Sequence, residues 1–289
     1  MSESLCLLSV HAHPDDESSK GAATVARYAA EGVRCVLVCC TGGEEGDILN
    51  PAMERPEVRE HLHQIRMEEL ERATKIIGYD EVVMLGYRDS GMPDTEANAN
   101  PDCFACADFD EAVGRLVAVI RRERPQVIIT YPDDQQGYPH PDHLRVHDIT
   151  VPAFEAAGDP DAYPEAGPPW QPLKLYYSGW SRARMVAAHE KFLELGLESP
   201  YDEKWFERPS MDDRITTKVD ITEYHHVRRE ALLAHATQID PTSKFWFGLP
   251  ADVVVYPYDD YILARSLVHA PVPEDDLFAG LRDRAGAAR

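Results

Sequence analysis

Leu5-Cys6-Leu7-Leu8-Ser9-Val10-His11-Ala12-His13-Pro14-Asp15-Asp16-Glu17 is the stretch that decides how this chain folds. Its first half is a short apolar run of strand length. Its second half is a polar turn leading into a helical pattern that begins near Ser18. A strand passing through a turn into a helix is the start of a βα unit, and the same pattern recurs downstream. Residues 5–10, 33–40, 81–85 and 127–131 read as strands. Residues 18–30, 58–77 and 109–123 carry apolar positions at helical spacing, with Ile65, Leu70 and Ile76 expected on buried faces. The predicted fold class is α/β: a Rossmann-like, mostly parallel sheet flanked by helices. Nothing in it matches the Gly-rich dinucleotide turn. Chemistry in such sheets sits outside the carboxyl ends of the strands, which directs attention to the loops that follow them.

A stretch rich in Pro, Gly and Asp over residues 158–172 breaks the periodicity. The expected organisation is a core over 1–157, a linker or surface crossing over 158–172, and a smaller C-terminal α+β part over 173–289 that completes the sheet. In that part, 173–178, 215–219 and 261–268 read as strands, and 182–195 and 224–236 as helices. The closing Ala/Gly/Arg tail reads as disordered.

Lys and Arg number 29 against 51 Asp and Glu, a net charge of −22. Such a surface repels phosphate backbones and anionic headgroups, so no nucleic acid and no membrane partner is expected, although a local cationic spot can still take a small anion. With neither a basic leader nor a membrane-length apolar run, the chain reads as cytoplasmic. Cys6, Cys35, Cys39 and Cys40 lie in strand-like runs, as buried thiols do. Cys103 and Cys106 form a CxxC, but no second pair completes a zinc site.

Two loops carry the chemistry. In the first, the imidazole of His13 and the carboxylate of Asp16 suit a divalent ion of borderline softness, zinc above all, with iron(II) compatible. Asp15 points another way and can act as base toward water. Read blandly, Pro14 to Glu17 is a helix N-terminus, where carboxylates favour the dipole. The second loop runs Tyr131-Pro132-Asp133-Asp134-Gln135-Gln136-Gly137-Tyr138-Pro139-His140-Pro141-Asp142-His143. His143 supplies a third ligand and leaves a coordination position open. Amide hydrolysis also needs a proton donor for the departing amine, for which His140 and Tyr138 are placed. Asp142 is expected to orient His140 and raise its pKa. A solvated polar loop is the alternative for this second cluster.

The Ala12 to Glu17 motif AHPDDE, taken with HPDH at His140 to His143, resembles the LmbE-like zinc N-deacetylase and amidase superfamily. The resemblance implies zinc on His13, Asp16 and His143, with Asp15 as base, His140 as acid and oxyanion stabiliser, and Tyr138 as a mobile helper. It implies hydrolysis of an amide on a glucosamine-containing small molecule, with the C-terminal part forming one wall of the pocket. It extends to His235 through Pro241 and to Phe245-Trp246-Phe247, and points to a thiol–sugar conjugate as substrate. The products would be an N-acetylcysteine S-conjugate and glucosaminyl-inositol; deacetylation of N-acetylglucosaminyl-inositol is the alternative.

Lys20 favours the conjugate, since a cation there could receive the acyl half; it would otherwise be an ordinary solvated helix residue. The resemblance places Arg66 and Asp89 on the glucosaminyl-inositol part. Otherwise Arg66 pairs with Glu69 or Glu71, and Asp89 closes the turn over 89–91. The run Phe245-Trp246-Phe247 could line a pocket for the sulfur substituent, or belong to the core. His225, His226, His235 and His269 are given no role, as surface or satisfied interior residues. A metal-dependent sugar-binding module would need none of Asp15, Tyr138 and His140, and a serine hydrolase would show a Gly-x-Ser-x-Gly elbow, which is absent.

Overall fold

All six residues of β1 (Cys6–His11) are buried, and the other elements are arranged about this strand. The computed structural model describes residues 4–135 and 137–282; the Ala/Gly/Arg tail beyond Arg282 lies outside the described residues. β2 (Arg34–Thr41), β3 (Glu81–Tyr87), β4 (Val127–Thr130), β5 (Lys174–Gly179), β6 (Thr217–Asp220) and β7 (Tyr258–Ser266) complete a seven-stranded sheet in the order β3-β2-β1-β4-β5-β7-β6. The first five strands are parallel, while β7 runs antiparallel to β5 and β6 antiparallel to β7. The helices are α1 (Asp16–Ser19), α2 (Ala22–Ala30), α3 (Pro56–Glu60), α4 (Leu62–Ile77), α5 (Phe109–Glu123), α6 (Pro141–Ala156), α7 (Arg182–Glu194), α8 (Glu203–Glu207), α9 (His225–Ala234) and α10 (Lys244–Phe247).

Alternation along β1 builds both faces of the sheet. Leu8 and Val10 pack with Leu116 and Ile120 of α5 and with Val146 and Ile149 of α6. Leu7 turns the other way, into a cluster with Tyr28 of α2, Ile77 of α4 and Ala231 of α9. Each such side chain contributes about 1.5–3 kcal/mol by leaving water. Helix α5 has the expected bounds for a local reason: the Asp108 side chain caps it by accepting from Glu111 N, and Arg121 and Arg122 occupy its last turn. Arg121 donates to the carbonyls of Ala157, Asp159 and Ala162 among others, so the segment over 158–172 is fastened to α5 as it crosses the surface.

Four details depart from the sequence reading. The helix expected over 18–30 is two pieces, α1 and α2, because Gly21 turns the chain at φ +96°, and a Cβ there would stand 3.1 Å from the Tyr261 hydroxyl. The helix expected over 58–77 breaks at His61, between α3 and α4. Ile76 is 38% exposed, not buried: Leu70, Ala73, Thr74 and Ile77 form the inward stripe, and Ile76 falls one step out of phase. The last strand begins at Tyr258 rather than 261. No helix among the described residues is long and apolar enough to cross a membrane. Strand order reverses between β1 and β4, which opens the crevice where ligands bind in such sheets.

Candidate active site

β1 and β4 are paired from Leu7–Val127 to Ser9–Ile129, so the loops that leave their carboxyl ends emerge side by side. Both loops become helix starts. Asp15 precedes α1 with φ 116°, a backbone conformation costly for any residue but glycine and held only where surroundings enforce it. His140 caps α6, its Nδ1 accepting from Asp142 N at 3.2 Å, and Pro141 follows at the first helical position. The first motif is thus a helix terminus, and it also stands at the carboxyl end of β1. The second motif is the start of a 16-residue helix and not a loop.

His13, Asp16, His140, Asp142 and His143 are all buried. Asp16 Oδ2 lies 3.4 Å from His13 Nδ1 and 3.3 Å from His143 Nε2. Ligand atoms of His13, His140 and His143 fall within 4.8 Å of one another, as do those of His13, Asp89 and Asp142. Burial alone would lower the His13 pKa, yet the carboxylates of Asp142, Asp16 and Asp89 hold it well above the usual imidazole range. Burial takes His143 down to about 4, which keeps its imidazole neutral. Three imidazoles and three buried carboxylates make a donor set whose negative charge a divalent cation balances, and the cluster could hold one.

Asp15 keeps 28% of its side chain open, and burial of the rest raises its carboxyl to about 6 against the pull of Arg66. Arg66 donates to Asp15 Oδ2 at 3.1 Å, to Pro14 O at 2.6 Å and to Gly43 O. It does not pair with Glu69, which instead accepts from Thr237 N and Oγ1. Behind Asp15, Glu17 accepts from Asp15 N at 2.8 Å and meets His235 Nε2 at 2.7 Å. Glu17 and His235 were given no role by the sequence reading, and 218 residues separate them. The only local clue was an acidic residue on a side of α1 that turned out to be buried.

One expected role is corrected. The Asp142 carboxylate does not serve His140: it lies 3.1 Å from His13 Nε2 and accepts from Ser90 N at 2.9 Å and from Ser90 Oγ. His140 receives only the Asp142 backbone N–H; the Asp142 charge does act to raise its pKa, but burial and the nearby His13 charge outweigh it and lower the pKa. Lys20 is not a free solvated residue either. Its Nζ contacts Asp16 Oδ1 at 2.6 Å and lies 5.4 Å from the Tyr131 ring centre. Asp89 does close its turn, accepting from Gly91 N at 2.8 Å, and also lies 3.6 Å from His13 Nε2. Tyr138 is 56% exposed at the mouth, with its ring 6.0 Å from that of His140. A cleft of about 390 Å³ joins these groups, with Asp15, Lys20, Arg66, Asp89 and Tyr138 on its walls and Gln238 and Trp246 closing it from the C-terminal side. Five of the six cysteines are buried, and Cys106 is exposed.

A mostly parallel sheet with a buried His/Asp cluster at its switch point defines a class, and the chain belongs to the PIG-L family (GlcNAc-PI de-N-acetylase), which residues 8–154 match. Among individual relatives, it is 48% identical to the mycothiol S-conjugate amidase of Streptomyces coelicolor, over 99% of this chain and 100% of that one. It is 41% identical to the 1D-myo-inositol 2-acetamido-2-deoxy-alpha-D-glucopyranoside deacetylase of Streptomyces avermitilis, over 95% and 97% of the two chains. Solved structures share the fold: the N,N'-diacetylchitobiose deacetylase of Pyrococcus horikoshii has a TM-score of 0.61 at 16% identity, covering 90% of this chain and 84% of that one. The protein TT1542 of Thermus thermophilus has a TM-score of 0.59 at 22% identity, covering 92% and 98%.

Proposed function

We propose that the protein is a zinc-dependent amidase that hydrolyses the amide of mycothiol S-conjugates, releasing an N-acetylcysteine S-conjugate and glucosaminyl-inositol. The observation that carries this reading is end-to-end identity higher with the S-conjugate amidase than with the inositol-sugar deacetylase. Lys20, on the wall of the cleft and paired with Asp16, would be the cation nearest the acyl half of the substrate. Deacetylation is the second reading, because it would use the same cluster.

His13, Asp16 and His143 would hold the ion, zinc in the first place and iron(II) as an alternative. Such an ion lowers the pKa of water toward ~7 and polarises the amide carbonyl. Asp15, open to the cleft, takes the proton from water as its oxygen adds to the carbonyl carbon. Arg66 fixes where the Asp15 carboxylate points. His140, whose Nδ1 is closed by the Asp142 N–H, keeps its proton on Nε2. That N–H donates a hydrogen bond to the negative oxygen, and the proton that Asp15 took from water passes to the nitrogen as the C–N bond breaks, with the Tyr138 hydroxyl assisting from the mouth. Asp89 would meet the sugar hydroxyls, while Arg66, closed on Gly43, Pro14 and Asp15, would act through Asp15.

The test is hydrolysis by the purified protein, metal-free and zinc-loaded, of a bimane adduct of mycothiol beside N-acetylglucosaminyl-inositol. Faster zinc-dependent release of the N-acetylcysteine adduct is expected. Preferential acetate release would make the protein a deacetylase instead.

A further inference from the structure

Leu232 and Trp246 stand between two cavities, lining both the cleft above and a second one of about 210 Å³. The second cavity is walled by aromatic rings. Trp180 and Phe245 stack with centres 5.8 Å apart and planes 11° from parallel, and Trp246 meets them edge-on at 5.8 and 4.8 Å. Tyr201 adds a ring 5.9 Å from Phe245. A small recess between the two cavities shares Ser19 and Lys20 with the cleft and Trp180, Arg184 and Arg228 with the aromatic cavity. The aromatic cavity thus adjoins the cleft where the scissile amide would sit, with Leu232 and Trp246 as their common wall.

We infer that this cavity receives the sulfur-linked substituent of the conjugate and favours substituents carrying one or two rings. The inference rests on the amidase reading. An apolar cavity of about 150 Å³ holds a benzene ring, so this one has room for a ring and its linker. Stacked and edge-on walls offer both faces and edges to a flat guest, the arrangement aromatic pairs prefer. Its cations are already engaged: Arg184 lies 2.8 Å from Asp259, Arg228 contacts the same carboxylate oxygen, and Arg229 lies over Phe247. Ring surface, not free charge, is what the cavity presents. An acetyl group attached directly to the sugar nitrogen is too short to occupy it, so the cavity would serve conjugate cleavage and not deacetylation.

The test compares kcat/KM for the bimane and S-methyl adducts of the same thiol sugar, using the zinc-loaded full chain and the variants Trp180→Ala and Ala188→Trp. The first variant removes a wall; the second fills the cavity from α7 and removes nothing, so it decides the matter if the first does not fold. The bimane-to-methyl ratio is expected to fall about tenfold in each, which is the ~1.4 kcal/mol upper range of an aromatic pair. If the wild type cleaves both adducts and the ratio is unchanged in Ala188→Trp, the cavity assignment is overturned and the amidase reading stands. If the wild type cleaves neither, both fall.

Discussion

His235 Nε2 lies 2.7 Å from Glu17 Oε1 with both side chains fully buried, and the other Glu17 oxygen holds the backbone N–H of Asp15. The end of α9 is thereby tied to the turn in which Asp15 adopts φ 116°. Removing one partner of a buried ion pair strands a charge, so Glu17→Ala and His235→Ala should each lose about 3–5 kcal/mol. The double variant should lose less than their sum, read from urea unfolding of all four proteins. Losses that simply add would show that the pair is not coupled.

Arg66 spans Asp15, Pro14 and Gly43, an arrangement that uses the planar fork of a guanidinium. Arg66→Lys keeps the charge but cannot reach three acceptors. We expect kcat to fall about 100-fold with KM little changed, the pattern of a misplaced base, since small displacements cost that much. A raised KM with kcat intact would instead assign Arg66 to the sugar.

Asp142 supports the His13 ring from behind, as carboxylates do for metal-binding imidazoles. Asp142→Asn should weaken zinc binding 10- to 100-fold, measured by competition with a chelator, and move the pH limb of His140 only slightly downward, since the Asp142 charge acts on it from a distance. A strongly shifted limb with unchanged zinc affinity would restore the role that the sequence alone suggested for Asp142.

That misassignment shows where sequence reading stops. HPDH announces that His140, Asp142 and His143 share a site, but which ring the carboxylate faces depends on how α6 begins beside β1, a tertiary fact. The strands were legible because apolar runs such as Val33 to Cys40 have one structural use, and α5 because its cap, stripe and basic end agree. α6 carries Pro152 inside it and little contrast between its faces, so its pattern is faint. Gly21 breaks what looks like a continuous helix, and only the approach of Tyr261 explains why. His235 carries no local mark of its partner, since Glu17 reaches it through folding alone.

Acid should loosen the C-terminal layer through Asp259. Burial by itself would raise this carboxyl, but Arg228 of α9 and Arg184 of α7 hold it well below the usual carboxylate range, and Thr24 of α2 donates to it at 2.9 Å. Neutral Tyr261 packs on the same spot. A group depressed in the folded state stabilises the fold above its unfolded pKa of about 3.9, and that contribution is lost as pH falls further toward the folded value. The amount is on the order of 3 kcal/mol. Asp259→Asn removes the titration and leaves two guanidiniums facing an amide, so the variant should be weaker at pH 7 and lose less between pH 5 and pH 3. Urea midpoints across that range measure it. Parallel slopes for the two proteins would mean that acid acts elsewhere, and that the Arg184–Asp259–Arg228 group does not hold α7 and α9 to β7.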